Sequence, residues 1–246
     1  MTGGARRVLV TGGARGLGEA IVRRLAGAGF EVEFTYASSS GPALALAAEL
    51  GVKALQCDLS DTQAVEALAT TLEAGDAYWG FVHNAGTTYD TLAMMVDQAQ
   101  GERLMQVNFW SLLRLVKALV RPMSAARAGR IVAVGSITAE RGSQGNAVYA
   151  ASKAAIRGFL TTLAVEVARR GVTVNTIAPG YVDTDMMAPY AGYREKIEKQ
   201  VPLGRFAKSD EIAAAVAFLL SPDAGYISGS TLTIDGALSA AIAVQR

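Results

Sequence analysis

Short runs of almost wholly apolar residues alternate along this chain with longer segments in which apolar positions recur every three or four residues. The short runs are Val8 to Val10, Val32 to Tyr36, Ala54 to Gln56, Gly80 to His83, Ile131 to Val134, Thr173 to Ile177 and Thr231 to Ile234. Such runs predict strands covered on both faces, as in a parallel sheet. Between them, Glu19 to Ala28, Ala43 to Leu50, Thr62 to Ala74, Glu102 to Ala126, Ala150 to Arg169 and Asp210 to Leu220 carry helical spacing. Asp61 before Thr62 and Ser209 before Asp210 read as N-caps. The alternation predicts an α/β fold with one doubly wound parallel sheet and helices on both faces. No repeat, low-complexity linker or charge block marks a boundary, so residues 1–246 are expected to form a single domain. The least regular stretch, Pro179 to Pro202, reads as a mobile lid.

Composition narrows the function classes. A chain that is 51% hydrophobic and 18% charged buries a large core, and its net charge of +1 argues against nucleic acid or an anionic membrane as a general partner. Apolar runs, including Ala237 to Val244, are too short to span a membrane. Only Val8, Leu9 and Val10 follow Arg6 and Arg7 before the glycines, too few for a signal-peptide core, and a cytoplasmic protein is expected. The single cysteine, Cys57, excludes an internal disulfide and reads as a small buried residue.

Immediately after the first predicted strand comes Thr11-Gly12-Gly13-Ala14-Arg15-Gly16-Leu17-Gly18, leading into a helix. Glycines there let the backbone approach a pyrophosphate, while free N–H groups and the positive helix end attract its charge. This context predicts dinucleotide binding of the Rossmann type. About 20 residues past such a loop an NAD enzyme carries an acid for the ribose diol. Tyr36 stands at that position, followed by Ala37, Ser38, Ser39 and Ser40. With Arg15 able to reach a 2′-phosphate from the loop, NADPH is the expected cofactor.

Tyr149 and Lys153 stand four apart in a helical pattern, so their side chains share a face. A cation beside a phenol favours phenolate and is expected to bring Tyr149 closer to working pH. Ser136, just past the fifth strand, lies where open α/β sheets place ligands, and its hydroxyl could hold a carbonyl oxygen beside that phenol.

The loop Thr11-Gly12-x-x-x-Gly16-x-Gly18, His83-Asn84-Ala85-Gly86, the run Tyr149-x-x-x-Lys153 and the Pro179-Gly180 turn together resemble the short-chain dehydrogenase/reductase family from residue 7 to about 236. Within it the chain is most similar to the 3-oxoacyl-[acyl-carrier-protein] reductases, on Thr88, Asp90, Leu92 and Met94 and on Ile177 through Met186. The resemblance implies hydride transfer to a carbonyl while Tyr149 gives the oxygen a proton and Lys153 holds the ribose. It also implies that Asn108 anchors a water relaying protons to Lys153. Asp58 and Leu59 would contact adenine, Asn84, Ala85 and Gly86 would line the cofactor, and Pro179, Gly180, Val182 and Thr184 would hold its nicotinamide end. An acyl-carrier protein docking on Arg127 and Arg170 is implied likewise, as is a homo-oligomer, dimer or tetramer, formed through the long helices beginning near Glu102 and Ala150.

Four positions depart from the family pattern: His83, Gly101, Val148 and Ala237. They bear on the substrate more than on the chemistry. A small free ketone or alcohol is the alternative substrate. A non-catalytic dinucleotide-binding subunit is a third reading, against which Ser136, Tyr149 and Lys153 argue. His83, the single histidine, cannot make a metal site and is expected to be structural; no metal is expected. Met94, Met95, Trp79 and Trp110 read as core or interface. Arg127, Arg130, Arg169 and Arg170 cluster around two helix ends.

Overall fold

The computed structural model describes residues 6–241. Strands β1 (Arg7–Thr11), β2 (Glu31–Tyr36), β3 (Lys53–Gln56), β4 (Gly80–His83), β5 (Gly129–Val134), β6 (Val172–Pro179) and β7 (Thr231–Ile234) form one sheet in the order β3-β2-β1-β4-β5-β6-β7. Every pairing is parallel. The order reverses after β3, which gathers the carboxyl ends of β1 and β4 at a switch point, with Thr11 paired to His83.

Helices α1 (Gly16–Gly27), α2 (Ser40–Leu50) and α8 (Ser209–Leu220) supply one layer, burying Ile21, Leu25, Leu46, Val216 and Leu220 against Val8, Val10 and Val132. On the other face α3 (Thr62–Ala74), α5 (Ser111–Ala126) and α6 (Ala147–Val167) bury Leu72, Leu112, Leu119, Ile156 and Leu160 against Leu9, Phe81 and Ile131. Strand β5 is buried at all its positions, whereas Leu232 and Thr233 of the edge strand β7 are exposed. The doubly wound expectation is met.

Several local expectations are corrected. The long helix starts earlier, as α4 (Gln98–Met105), and passes through a π turn at Gln106–Trp110 before α5. Asp61 does cap α3, accepting from the N–H groups of Gln63 and Ala64. Ser209 does not cap α8; it is the first helical residue, and the Glu211 carboxylate instead accepts from the N–H of Lys208 at 2.7 Å. The stretch expected to be irregular contains a 3-10 segment, Asp185–Tyr193, and the short helix α7 (Arg194–Glu198). Of the core-or-interface reading for Met94 and Met95, the core half is excluded: they are 90% and 67% exposed. Cys57 is buried as expected. The apolar run Ala237 to Val244 extends past residue 241, so its end lies outside the described residues.

Candidate active site

The loop between β1 and α1 is built by close approach. Gly12 and Gly16 take positive φ of 66° and 56°, which glycine adopts without steric cost. Gly18 has no room for a side chain: a Cβ there would strike the Gly12 oxygen and the Asn84 Nδ2. The Asn84 amide donates to the carbonyls of Thr11 and Gly12, each at 3.1 Å, and the N–H groups of Asn84 and Ala85 both donate to the Thr11 hydroxyl. Thr35 holds the loop from β2, accepting from the N–H of Gly12 on its hydroxyl and of Gly13 on its carbonyl. Helix α1 begins without a side-chain cap, beside the exposed Arg15 and half-buried Leu17. Thr184, past the Pro179-Gly180 turn, faces the loop, since a Cβ on Gly16 would lie 3.7 Å from it. The cradle therefore fits a pyrophosphate.

At the carboxyl ends of β2 and β3, Tyr36 is half-buried and Ser38 exposed. The Tyr36 carbonyl accepts from the Cys57 N–H at 2.8 Å, tying the two strand ends together. Asp58 accepts from the Ser60 N–H at 2.9 Å, which holds its carboxyl below the usual range, and Leu59 beside it is buried. Burial pushes the Cys57 thiol up to about 11, so it stays protonated and unreactive.

Helix α6 brings the chemistry together. Lys153, 3% exposed, donates to the Val134 carbonyl at 2.9 Å and places its ammonium 5.5 Å from the centre of the Tyr149 ring. Asn108, fully buried in the π turn, donates to the Thr87 carbonyl at 3.1 Å and to the Ser152 hydroxyl at 3.0 Å, and accepts from the Thr87 N–H at 2.9 Å. Ser152 in turn donates to the Tyr149 carbonyl. Gly86 lies between Asn108 and Lys153, where a Cβ would come within 3.4 Å of the side-chain oxygen of one and the ammonium of the other. Ser136 accepts from both the N–H and the hydroxyl of Thr138, which leaves its own proton free to be donated.

One electrostatic expectation is reversed. Burial pushes the Tyr149 phenol up to about 12, with Ser136 opposing the rise and the Asp90 carboxylate adding to it. Lys153 does not offset this, because its own charge is buried and turned toward Val134; burial brings it down to about 8. Tyr149 is thus held as an acid.

Sequence reasoning missed the contacts made by the 179–202 segment. The Tyr190 hydroxyl donates to the Asp90 carboxylate, and Arg194 clasps Asp183 through two bonds of 2.8 and 2.9 Å while its guanidinium lies over the Phe206 ring. Val182 pairs with Ala207 in an isolated bridge, and Gly180 is pressed against Asp235. Two family departures touch: Gly101 on α4 faces Val148, the residue before Tyr149. Ala237 takes a positive φ of 69°.

Arg127 and Arg170 are both exposed, and the Arg127 guanidinium donates to the Arg169 carbonyl at 3.0 Å. Arg130 does not join them; it is buried over the Trp79 ring and donates to the Gly129 carbonyl. Among the described residues, no group of histidine, cysteine and acidic side chains could hold a metal, and no helix is long and apolar enough to cross a membrane.

Comparison with known proteins agrees with this geometry. Residues 12–239 match the family model described as Enoyl-(Acyl carrier protein) reductase. The chain is 43% identical over 236 residues to 3-oxoacyl-[acyl-carrier-protein] reductase FabG of Vibrio cholerae, covering 94% of this chain and 96% of that one. It is 41% identical over 232 residues to acetoacetyl-CoA reductase of Synechocystis, covering 94% and 95%. Among solved structures it is similar to BdcA in complex with NADPH, with TM-score 0.87 at 34% identity over 94% of this chain and 93% of that one. It is also similar to a putative betaketoacyl-ACP reductase, with TM-score 0.86 at 33% identity over 94% and 96%.

Proposed function

The chain belongs to the short-chain dehydrogenase/reductase family, and on that premise we propose that it reduces the 3-keto group of an acyl thioester carried on acyl-carrier protein, with NADPH as cofactor. The observation that carries this reading is the half-buried Tyr149 phenol next to the Ser136 hydroxyl, with the Lys153 ammonium 5.5 Å from its ring centre, in a chain 43% identical to a 3-oxoacyl reductase. When bound, NADPH supplies the hydride. The glycine loop at Gly12, Gly16, Leu17 and Gly18 would hold its phosphates, Arg15, Tyr36 and Ser38 its 2′-phosphate end, and Asp58 and Leu59 its adenine. Asn84, Ala85, Gly86, Pro179, Gly180, Val182 and Thr184 would line the remainder. Ser136 donates to the keto oxygen and orients it, Tyr149 passes its proton to that oxygen, and Lys153 resupplies the phenolate. Asn108 fixes the helix that carries them.

Arg127 and Arg170 form the docking point for the acidic carrier in this reading, supported by their joint exposure. A homo-oligomer goes with it, supported by Trp110, 50% exposed on the π turn, and Val165, 78% exposed on α6. A cytoplasmic location is part of the same proposal.

The acetoacetyl-CoA reductase relative favours a second reading, in which the thioester is on coenzyme A. Following NADPH oxidation with matched 3-oxoacyl groups on carrier protein, on coenzyme A and as free ketones decides among them. The proposal requires the highest kcat/KM on the carrier; a higher value on a free ketone would reject it.

A further inference from the structure

His83 is the single histidine of the chain, and it is fully buried at the end of β4. Its Nδ1 lies 3.2 Å from the Thr11 hydroxyl and its Nε2 lies 3.0 Å from the main-chain oxygen of Asn108. These contacts fix the proton. Thr11 already accepts from the N–H groups of Asn84 and Ala85, so both its lone pairs are in use and its own proton points to Nδ1. A carbonyl can only accept, so Nε2 carries the ring proton. Both edges therefore require the same neutral tautomer. Burial and the nearby Lys153 charge push the ring down to about 3, in agreement with that assignment.

The ring joins two parts of the site. On one side is the strand end whose hydroxyl organises the phosphate loop. On the other is the π turn, whose Asn108 side chain holds Thr87 and the Ser152 hydroxyl, one residue from Lys153. π turns within helices are rare and are frequent at functional sites. The outward bond from His83 ends on this turn, at the Asn108 carbonyl.

Resting on the reductase reading, we propose that His83 is a positioning residue: its Nε2–H bond to the Asn108 carbonyl holds the π turn in the register that keeps Asn108 on Ser152 and so sets Tyr149 and Lys153 for proton transfer. An imidazole suits this place because acceptor and donor lie on opposite edges of one rigid ring. The action on the substrate is indirect.

The single histidine makes the test direct. Nitrogen-15 NMR of the imidazole in the full protein should show Nε2 protonated and Nδ1 bare, unchanged between about pH 5 and 8, where a free imidazole titrates. A protonated Nδ1, or titration in that range, overturns the proposal. His83→Phe keeps a ring and removes both bonds, so kcat should fall about tenfold, the size of one buried hydrogen bond, with NADPH affinity within about twofold. His83→Gln, whose amide nitrogen reaches the Nε2 position, should keep kcat within about threefold of wild type. A His83→Phe protein with unchanged kcat, or a His83→Gln protein as impaired as His83→Phe, also overturns it. Should His83→Phe not fold, the NMR tautomer and the His83→Gln rate still decide. Failure of the reductase reading looks different: the wild-type protein would reduce no thioester at all.

Discussion

Lys153 spends one of its three protons on the Val134 carbonyl, 2.9 Å away at the end of β5, which pins the catalytic helix to the strand that also delivers Ser136. The two remaining protons are available to ribose and phenol. Tyr149→Phe should therefore lower kcat by at least about a hundredfold, the usual worth of a positioned acid, while NADPH binding stays near normal. Lys153→Ala should damage both turnover and cofactor affinity, since one ammonium serves both. Stopped-flow reduction and fluorescence titration measure the two quantities, and near-normal turnover of Tyr149→Phe would remove it as the proton donor.

Cofactor preference should follow the ends of β1 and β2. Arg15 is exposed beside the loop, and no carboxylate stands from Tyr36 to Ser40. Arg15→Ala should weaken NADPH by roughly tenfold to a hundredfold, as expected for charge-assisted hydrogen bonds, and leave NADH nearly unchanged. Tyr36→Asp should shift preference toward NADH by accepting the diol hydroxyls and repelling the phosphate. Equal wild-type affinity for the two cofactors, by titration, would contradict the assignment.

If the exposed cations Arg127 and Arg170 dock the carrier as proposed, KM is salt-sensitive. Charge reversal at either should raise KM for a carrier-bound substrate and spare a small thioester, with the difference fading as salt screens the exposed charges. Equal effects on both substrates count against docking there.

How much of this was legible in the sequence depended on which physical signal carried it. Strands such as Ile131 to Val134 were plain because burial on both faces leaves no polar position. The glycine loop was plain because Gly12, Gly16 and Gly18 each answer a backbone requirement. The π turn was not legible: it interrupts the helix without a proline or glycine to mark it, and the bonds that meet there, from Asn108 to Thr87 and Ser152 and from His83, join residues distant in sequence. The direction of the Tyr149 shift was misread because a four-residue spacing reports proximity to Lys153 and says nothing of burial. Gly101 and Val148 looked like two separate departures and are one contact.

Ala237 supplies a stability test. Its φ of 69° places a Cβ in the left-handed region, at a cost of about 1 to 2 kcal/mol relative to glycine. Glycine would return about 0.4 to 1 kcal/mol of that as freedom in the unfolded chain. Ala237→Gly should still be stabilising, raising Tm by about one to three degrees. Calorimetry reads the change, and a lower Tm would mean that the Ala237 methyl makes a compensating contact.

The pH profile follows from the opposed shifts of Tyr149 and Lys153. Tyr149, held near 12, is protonated throughout the working range and contributes no limb below that value. Each reduction leaves a phenolate that must be recharged, and in the proposed mechanism the Lys153 ammonium, 5.5 Å from the ring centre, does so. Because burial lowers its pKa from 10.5 to about 8, the fold favours the neutral amine, and the protonated fraction declines as pH rises through about 8. Saturating kcat for reduction should thus be level near neutrality and fall above about 8, approaching tenfold per pH unit once the amine dominates. An unburied lysine would have kept the rate level to beyond pH 10. His83 adds no acid limb near neutrality, since its ring is held near 3. Lys153→Arg separates the causes: a guanidinium keeps its charge, so whatever rate remains should lose the fall near 8. A wild-type kcat that is level to pH 10, measured with both substrates saturating, would show that Lys153 does not supply the proton.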